Sequence, residues 1–227
     1  MNAPTAPQEH FLVRGSPRPQ GAAAEARPGT FSEHLAANRY FDRNFQSDAV
    51  KILPGEYYVT ARDLVIVTVL GSCVAACLMD PVGLVGGMNH FMLPANKSAQ
   101  ENDQFFAARY GAGAMELLIN GLLRLGARRD RLVAKTFGGG RVMGGLSDIG
   151  QQNIAFIRRF LHEEGIPTWA EDLGGDQARK VYFFPHSSQV LVKKLERLNN
   201  NTILRRERQY FERVSEKPVA GDVELFT

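Results

Sequence analysis

Asp80-Pro81-Val82-Gly83 separates two apolar runs, 74–79 and 84–92, and this arrangement constrains the fold more than any other feature of the chain. Asp is favoured at the first position of a tight turn, Pro at the second and Gly at the fourth. A turn here reverses the chain and forces the flanking runs into an antiparallel hairpin. Runs 63–69, 132–137, 181–184 and 190–192 read as further strands bounded by Gly, Pro or Asp. Met115, Leu118, Ile119 and Leu122 recur at helical spacing, which predicts a helix with one face on a sheet, ended by Gly126. Ile154, Ile157 and Leu161 predict a second helix, with Ser147 or Asp148 as N-cap and Gly165 just past its end. Strands arrive in pairs rather than in strict alternation with helices. The expected fold is therefore α/β, a layered sandwich of mixed, largely antiparallel sheet with helices packed on it.

Five of the 11 prolines lie in the first 30 residues, where apolar residues are too sparse to bury much surface. Residues 1–38 are expected to be a disordered extension, 39–204 the folded catalytic domain, and 205–227 a charged C-terminal tail. Within that tail, 205–217 alternates charge sign and reads as a solvated helix or tail. The 27 basic and 24 acidic residues nearly balance, so neither nucleic acid nor anionic lipid is demanded as a partner. No apolar run approaches the roughly 18 residues of a membrane span, which argues against membrane insertion. With Cys73 and Cys77 as the whole cysteine complement, a disulfide framework is excluded and a reducing cytoplasm is the expected location. The histidines show no metal-ligand spacing with cysteines or carboxylates, so no metal site is expected.

If the turn is tight, Asp80 faces Gly83 and the hairpin sets Cys73 opposite His90 on one face. Opposed side chains have Cβ atoms about 4.5 to 5.5 Å apart, close enough for a thiol to meet an imidazole. The expected outcome is a thiolate–imidazolium pair, because a neighbouring imidazolium lowers a thiol pKa and creates a nucleophile. Gly71-Ser72 supplies a permissive turn whose backbone N–H groups can face an oxyanion. Thr68 on the preceding strand can reach the second imidazole nitrogen and set its tautomer. Taken singly, Cys73 reads as readily as a core residue and His90 as a satisfied polar group. Cys77 reads as core.

Leu70-Gly-Ser-Cys73-Val-Ala-Ala-Cys-Leu-Met-Asp-Pro81 followed by Gly86-Gly-Met-Asn-His90-Phe-Met-Leu-Pro94 closely resembles the CheD family, the bacterial chemoreceptor glutamine deamidases. The likeness continues through Ile52-Leu-Pro-Gly-Glu-Tyr-Tyr58, Tyr110-Gly-Ala-Gly-Ala-Met-Glu-Leu-Leu-Ile119, Phe137-Gly-Gly-Gly140, Asn153-Ile154 and Glu171-Asp-Leu-Gly-Gly175 with Arg179. The resemblance implies a protein-glutamine glutaminase acting on methyl-accepting chemotaxis receptors through a cysteine thioester. It implies Cys73 as nucleophile, His90 as base and Thr68 as the third member, with no cofactor. It also implies a fold like that of the cytotoxic necrotising toxin catalytic domain, and a CheC-type phosphatase as a further partner. The alternative is a non-catalytic chemotaxis adaptor that binds receptor or phosphatase and keeps Cys73 only as core. The 137–145 glycine run lacks the Gly-Lys-Ser/Thr ending of a phosphate loop, and its expected role is to let backbone approach the catalytic loop or a substrate helix. Glu171, Asp172, Gly174, Gly175 and Arg179 read as a receptor-docking turn or an exposed charge pair.

Overall fold

The computed structural model describes residues 35–94, 101–142, 147–195 and 202–216. All but the last four residues of the expected N-terminal extension lie outside the described residues. Ten strands pair into two five-stranded sheets. In the first sheet the order is β1 (Asn38–Asp42), β2 (Ser47–Lys51), β4 (Val65–Leu70), β9 (Ala178–Phe184) and β10 (Gln189–Leu195). The second runs β3 (Tyr57–Thr60), β6 (Val85–Asn89), β5 (Val74–Asp80), β7 (Val133–Gly138) and β8 (Thr168–Leu173). Only the β2–β4 and β7–β8 pairings are parallel among the described strands. The mixed, largely antiparallel sandwich expected from the sequence is the fold found.

Strand β5 lies at the centre and is buried along its whole length. Its alternation divides the core in two. Ala75, Cys77 and Met79, continuing the row begun by Cys73, point between the sheets, where they join Ile66, Leu70, Met88, Val181 and Phe183. Val74, Ala76 and Leu78 face the opposite way, into an apolar layer with Met115, Leu118, Leu122, Phe156 and Ile157. That outer layer belongs to α1 (Glu101–Arg124) and α2 (Ser147–Glu163), which carry the two predicted apolar stripes. Both helices end as their glycines require. Gly126 has φ +93° and Gly165 φ +65°, and the next residues' N–H groups reach back to Leu122 O and Leu161 O at 3.1 and 2.9 Å.

The hairpin register differs from expectation. Asp80 pairs with Val85 and Cys77 with Met88, so the connection is the longer loop 81–84, with Leu84 in the left-handed region at φ +53°. The Asp80 carboxylate stabilises this wider turn by accepting N–H bonds from Val82 and Gly83 at 3.0 and 2.8 Å. His90 is thereby diagonal to Cys73 rather than opposite it. The shift is even, so both residues stay on the inter-sheet face.

The last described element, α3 (Thr202–Glu216), is the helix that the sequence offered for 205–217, but one face of it is not solvated; residue 217 lies outside the described residues. Arg205, Arg206, Arg208 and Gln209 are exposed, but Glu207, Tyr210 and Val214 are buried, the latter two in the inter-sheet core. By that face the helix packs on the inter-sheet core. Among the described residues, no helix is long and apolar enough to cross a membrane.

Candidate active site

Strand β4 ends at Leu70, and Gly71-Ser72 carries the chain across from the first sheet to β5 in the second. This crossover is braced on all sides. Gly139 N–H donates to Cys73 O and Gly140 N–H to Gly71 O, both at 2.8 Å. Gly138 sits so close that a Cβ there would lie 2.1 Å from Cys73 O, at a φ of +111° that disfavours any side chain. Gly138, Gly139 and Gly140 thus approach the loop that carries Cys73, the first of the two expected roles, while 143–145 of the run lie outside the described residues. Asn153 of α2, wholly buried, donates from Nδ2 to Ser72 O at 2.9 Å and accepts from Leu93 N–H at 2.8 Å. Arg179 is also inward-facing, bonded to Gly138 O and Gly174 O at 2.9 and 2.6 Å. It braces the glycine loop and is not available on the surface for docking.

His90 follows β6, and its own backbone is held by the 52–56 turn: its N–H donates to Glu56 O at 3.0 Å and its carbonyl accepts from Gly55 N–H at 2.7 Å. Thr68, pointing inward from β4, lies with Oγ1 2.8 Å from His90 Nδ1 and 2.9 Å from Ile52 O. A hydroxyl has one proton, and Ile52 O can only accept it. The Thr68 oxygen therefore accepts from His90 Nδ1–H, which leaves the Nε2 lone pair unprotonated. Nε2 is buried without a hydrogen-bond partner among the described residues. A Cys73, a His90 and a Glu207 ligand atom lie within 4.8 Å of one another. Thus Thr68, Cys73, His90 and the Gly71-Ser72 turn, all singled out in the sequence, converge on one point between the sheets.

Glu207 is absent from that set of sequence candidates, yet it lies at the centre of the cluster. Its Oε1 accepts from Gly71 N–H and Cys73 N–H at 2.7 and 3.2 Å, and its Oε2 from Ser72 N–H and Ser72 Oγ at 2.9 and 2.8 Å. The N–H groups expected to face an oxyanion form an anion cradle, and a carboxylate fills it. A carboxylate has about four lone-pair sites, and the four N–H and O–H donors, with the Cys73 thiol as a fifth group hydrogen-bonded to it, use them all. The three-residue cluster is consequently a poor metal site in this arrangement, because its only carboxylate has no lone pair left to offer.

This closure changes the electrostatics. Burial pushes the Cys73 thiol well above its ordinary range, and the adjacent Glu207 charge and hydrogen bond add to that shift. Burial lowers His90 to about 3. The expected thiolate–imidazolium pair is thus not the form present here. With α3 docked, the site holds a neutral thiol beside a neutral imidazole. Cys77 is buried core, its thiol also raised by desolvation.

Residues 92–194 match the family model described as CheD chemotactic sensory transduction. A protein of Herminiimonas arsenicoxydans is 55% identical over 197 residues, covering 86% of this chain and 97% of that one. A second, from Janthinobacterium sp. (strain Marseille), is 56% identical over the same shares. The chain belongs to the CheD family. Both relatives, and a Thiobacillus denitrificans protein 55% identical over 196 residues, 86% of this chain and 97% of that one, are named probable chemoreceptor glutamine deamidase CheD. Similarity to the solved structure of the Bacillus licheniformis hypothetical protein YfiH is slight, at 14% identity and TM-score 0.33 over 51% of this chain and 49% of that one. Membership in the CheD family thus rests on sequence, while the placement of the site rests on the topology described above.

Proposed function

We propose that this protein hydrolyses the side-chain amide of selected glutamines in chemoreceptors, with Cys73 as nucleophile, His90 as general base and acid, and Thr68 as the residue that orients the imidazole. The observation that carries the reading is the shared position of a cysteine sulfur, an imidazole with a free Nε2 and a three-donor N–H cradle. Those are the parts that acyl transfer through sulfur requires. The names of the relatives supply the substrate, a chemoreceptor glutamine.

In the proposed reaction the carboxamide oxygen enters the cradle of Gly71, Ser72 and Cys73 N–H groups. The Cys73 thiol gives its proton to His90 Nε2, and the sulfur attacks the carboxamide carbon. Negative charge develops on the oxygen held by the cradle, and the imidazolium returns the proton to the nitrogen, which leaves as ammonia. A thioester remains. Water, deprotonated by His90 Nε2, adds to the thioester carbon and expels the sulfur, releasing glutamate. Thr68 accepts the Nδ1 proton's hydrogen bond throughout and stabilises the ring when it is charged. The steps use no metal or organic cofactor. A thiol that must stay reduced suits the cytoplasm. The family resemblance supports a CheC-type phosphatase as a second partner competing for the same face.

The test is mass spectrometry of a receptor cytoplasmic fragment after incubation with the protein. Each converted glutamine gains about one dalton with the chain uncut, as amide nitrogen is exchanged for oxygen through the acyl-enzyme. Cys73→Ala is expected to keep its fold and lose at least about a thousandfold in rate, as nucleophile deletions do. An unmodified receptor overturns the proposal in favour of the adaptor, and full activity in Cys73→Ala overturns Cys73 as the nucleophile.

A further inference from the structure

Glu207 is 1% exposed, yet it sits on a helix whose neighbouring residues Arg206 and Arg208 face solvent. A carboxylate gains nothing from burial unless every lone pair is satisfied. Here it is satisfied wholly by the crossover that leads into Cys73. The side chain of glutamate is also the chemical product of glutamine deamidation, and it is presented from a helix. Three and seven residues further on, Tyr210 and Val214 reach into the inter-sheet core from the same helix face. Tyr210 packs on Gly55, where a Cβ would meet its ring at 2.6 Å, and its hydroxyl pairs with that of Tyr110. Four residues earlier, Ile203 lines a hollow beside His90 with Lys51, Ile52 and Pro54.

We propose that α3 is a product mimic within the chain: it occupies the groove in which the substrate's helix docks, with Glu207 standing where the deamidated glutamine stands, so that a receptor helix must displace it to reach Cys73. The inference rests on the deamidase reading above and specifies how the substrate is presented. The groove takes a helix whose glutamine is followed by bulky apolar or aromatic side chains three and seven positions on, filling the places of Tyr210 and Val214. The neutral state of the Cys73–His90 pair follows from the same closure. A resting enzyme with its thiol buried beneath a carboxylate does not react until a competing helix replaces α3.

The decisive variant is Glu207→Gln in the full chain. If α3 holds the substrate's position, the amide introduced at position 207 is itself a substrate. Cys73 sulfur attacks its carbon, ammonia leaves with a proton from His90, and water hydrolyses the resulting thioester between Cys73 and the side chain at position 207, restoring the glutamate. Peptide mapping of purified Glu207→Gln is expected to find glutamate at position 207, and the Cys73→Ala/Glu207→Gln protein is expected to retain the amide. Persistence of the amide in a folded variant that still converts receptor glutamines overturns this inference and leaves the deamidase reading standing. Persistence with no receptor activity in the wild-type protein overturns both. Glu207→Ala gives a second readout in case the amide disturbs the cradle. Its Cys73 is expected to react with iodoacetamide at least about tenfold faster than in the wild-type protein, since access and thiolate fraction both rise. Equal rates overturn the inference.

Discussion

The β4–β5 crossover and α3 supply the two halves of one hydrogen-bonded cluster, but they are secured in different ways. The crossover is tied by backbone bonds from Gly139 and Gly140, by the buried Asn153 side chain and by its own continuation into β5. α3 is held by one face: Glu207, Tyr210 and Val214 are buried, while Arg205, Arg206, Arg208, Gln209, Glu212 and Arg213 are exposed. Local stability follows the density of buried contacts, so the crossover belongs to the most protected part of the molecule and α3 to the part that opens first. The difference teaches that the anion cradle is built by the sandwich itself, whereas the carboxylate that fills it is brought by a helix held on one face.

The largest test of this contrast lies on the crossover side. Gly138→Val must place a β-branched side chain at φ +111° and against Cys73 O, where a Cβ alone would come within 2.1 Å. The strand end must move, breaking the Gly139 N–H to Cys73 O bond. The expected cost is about 3 kcal/mol or more in global unfolding by urea, combining backbone strain with a lost buried bond. A loss below about 1 kcal/mol, close to the range of ordinary surface substitutions, breaks the claim that this half is rigid.

Next in size is a pH effect centred on His90. Its ring titrates near 3 when buried in the folded protein and near its ordinary 6.5 once exposed. Above pH 6.5 the ring is neutral in both states and its contribution to stability is complete. As pH falls from 6.5 towards 3 the unfolded or opened state binds a proton that the closed site refuses, and stability declines. The decline is expected to reach about 2 kcal/mol by about pH 5. His90→Asn should flatten that part of the curve in a urea titration series, whereas an unchanged slope places the acid sensitivity elsewhere.

Why the crossover is legible in the sequence and α3 is not depends on where the determining interactions lie. The Cys73–His90 meeting follows from a local hairpin, and it tolerates the wider turn because Asp80 pairing with Val85 instead of Gly83 shifts the register without changing the face. The two Schellman ends follow from Gly126 and Gly165, since the required positive φ is a property of single residues. Strand β8 has no such local signature: Trp169, Glu171 and Asp172 lack alternation because the strand is an exposed edge beside β7. β1, an edge of the other sheet, is hidden in the same way by Arg39, whereas β2 is interior and is masked by Ser47 and Asp48 at its start. Docking of α3 depends on a glutamate meeting backbone N–H groups more than 130 residues away in the chain. Nothing in a run such as Arg205-Arg-Glu-Arg208 distinguishes a carboxylate that faces solvent from one that enters a cradle. A sparse apolar stripe of Ile203, Tyr210, Phe211 and Val214 is the one available signal.

The smallest effect is expected on the α3 side, and its smallness is what makes it informative. Tyr210→Phe keeps the ring that packs on Gly55 and removes only the hydroxyl paired with Tyr110. A single hydrogen bond contributes about 1 kcal/mol net, so global stability should fall by no more than about that. The same loss applies to the opening of α3 as a separate unit, where about 1 kcal/mol raises the open population roughly fivefold. Alkylation of Cys73 should accelerate by a similar factor, and below the unfolding transition its rate should barely depend on urea, because opening one helix exposes little surface. Were the alkylation rate to rise with urea as steeply as the global unfolding constant, Cys73 would be reached only by unfolding the whole sandwich, and the distinction between a fixed crossover and an exchangeable helix would fail.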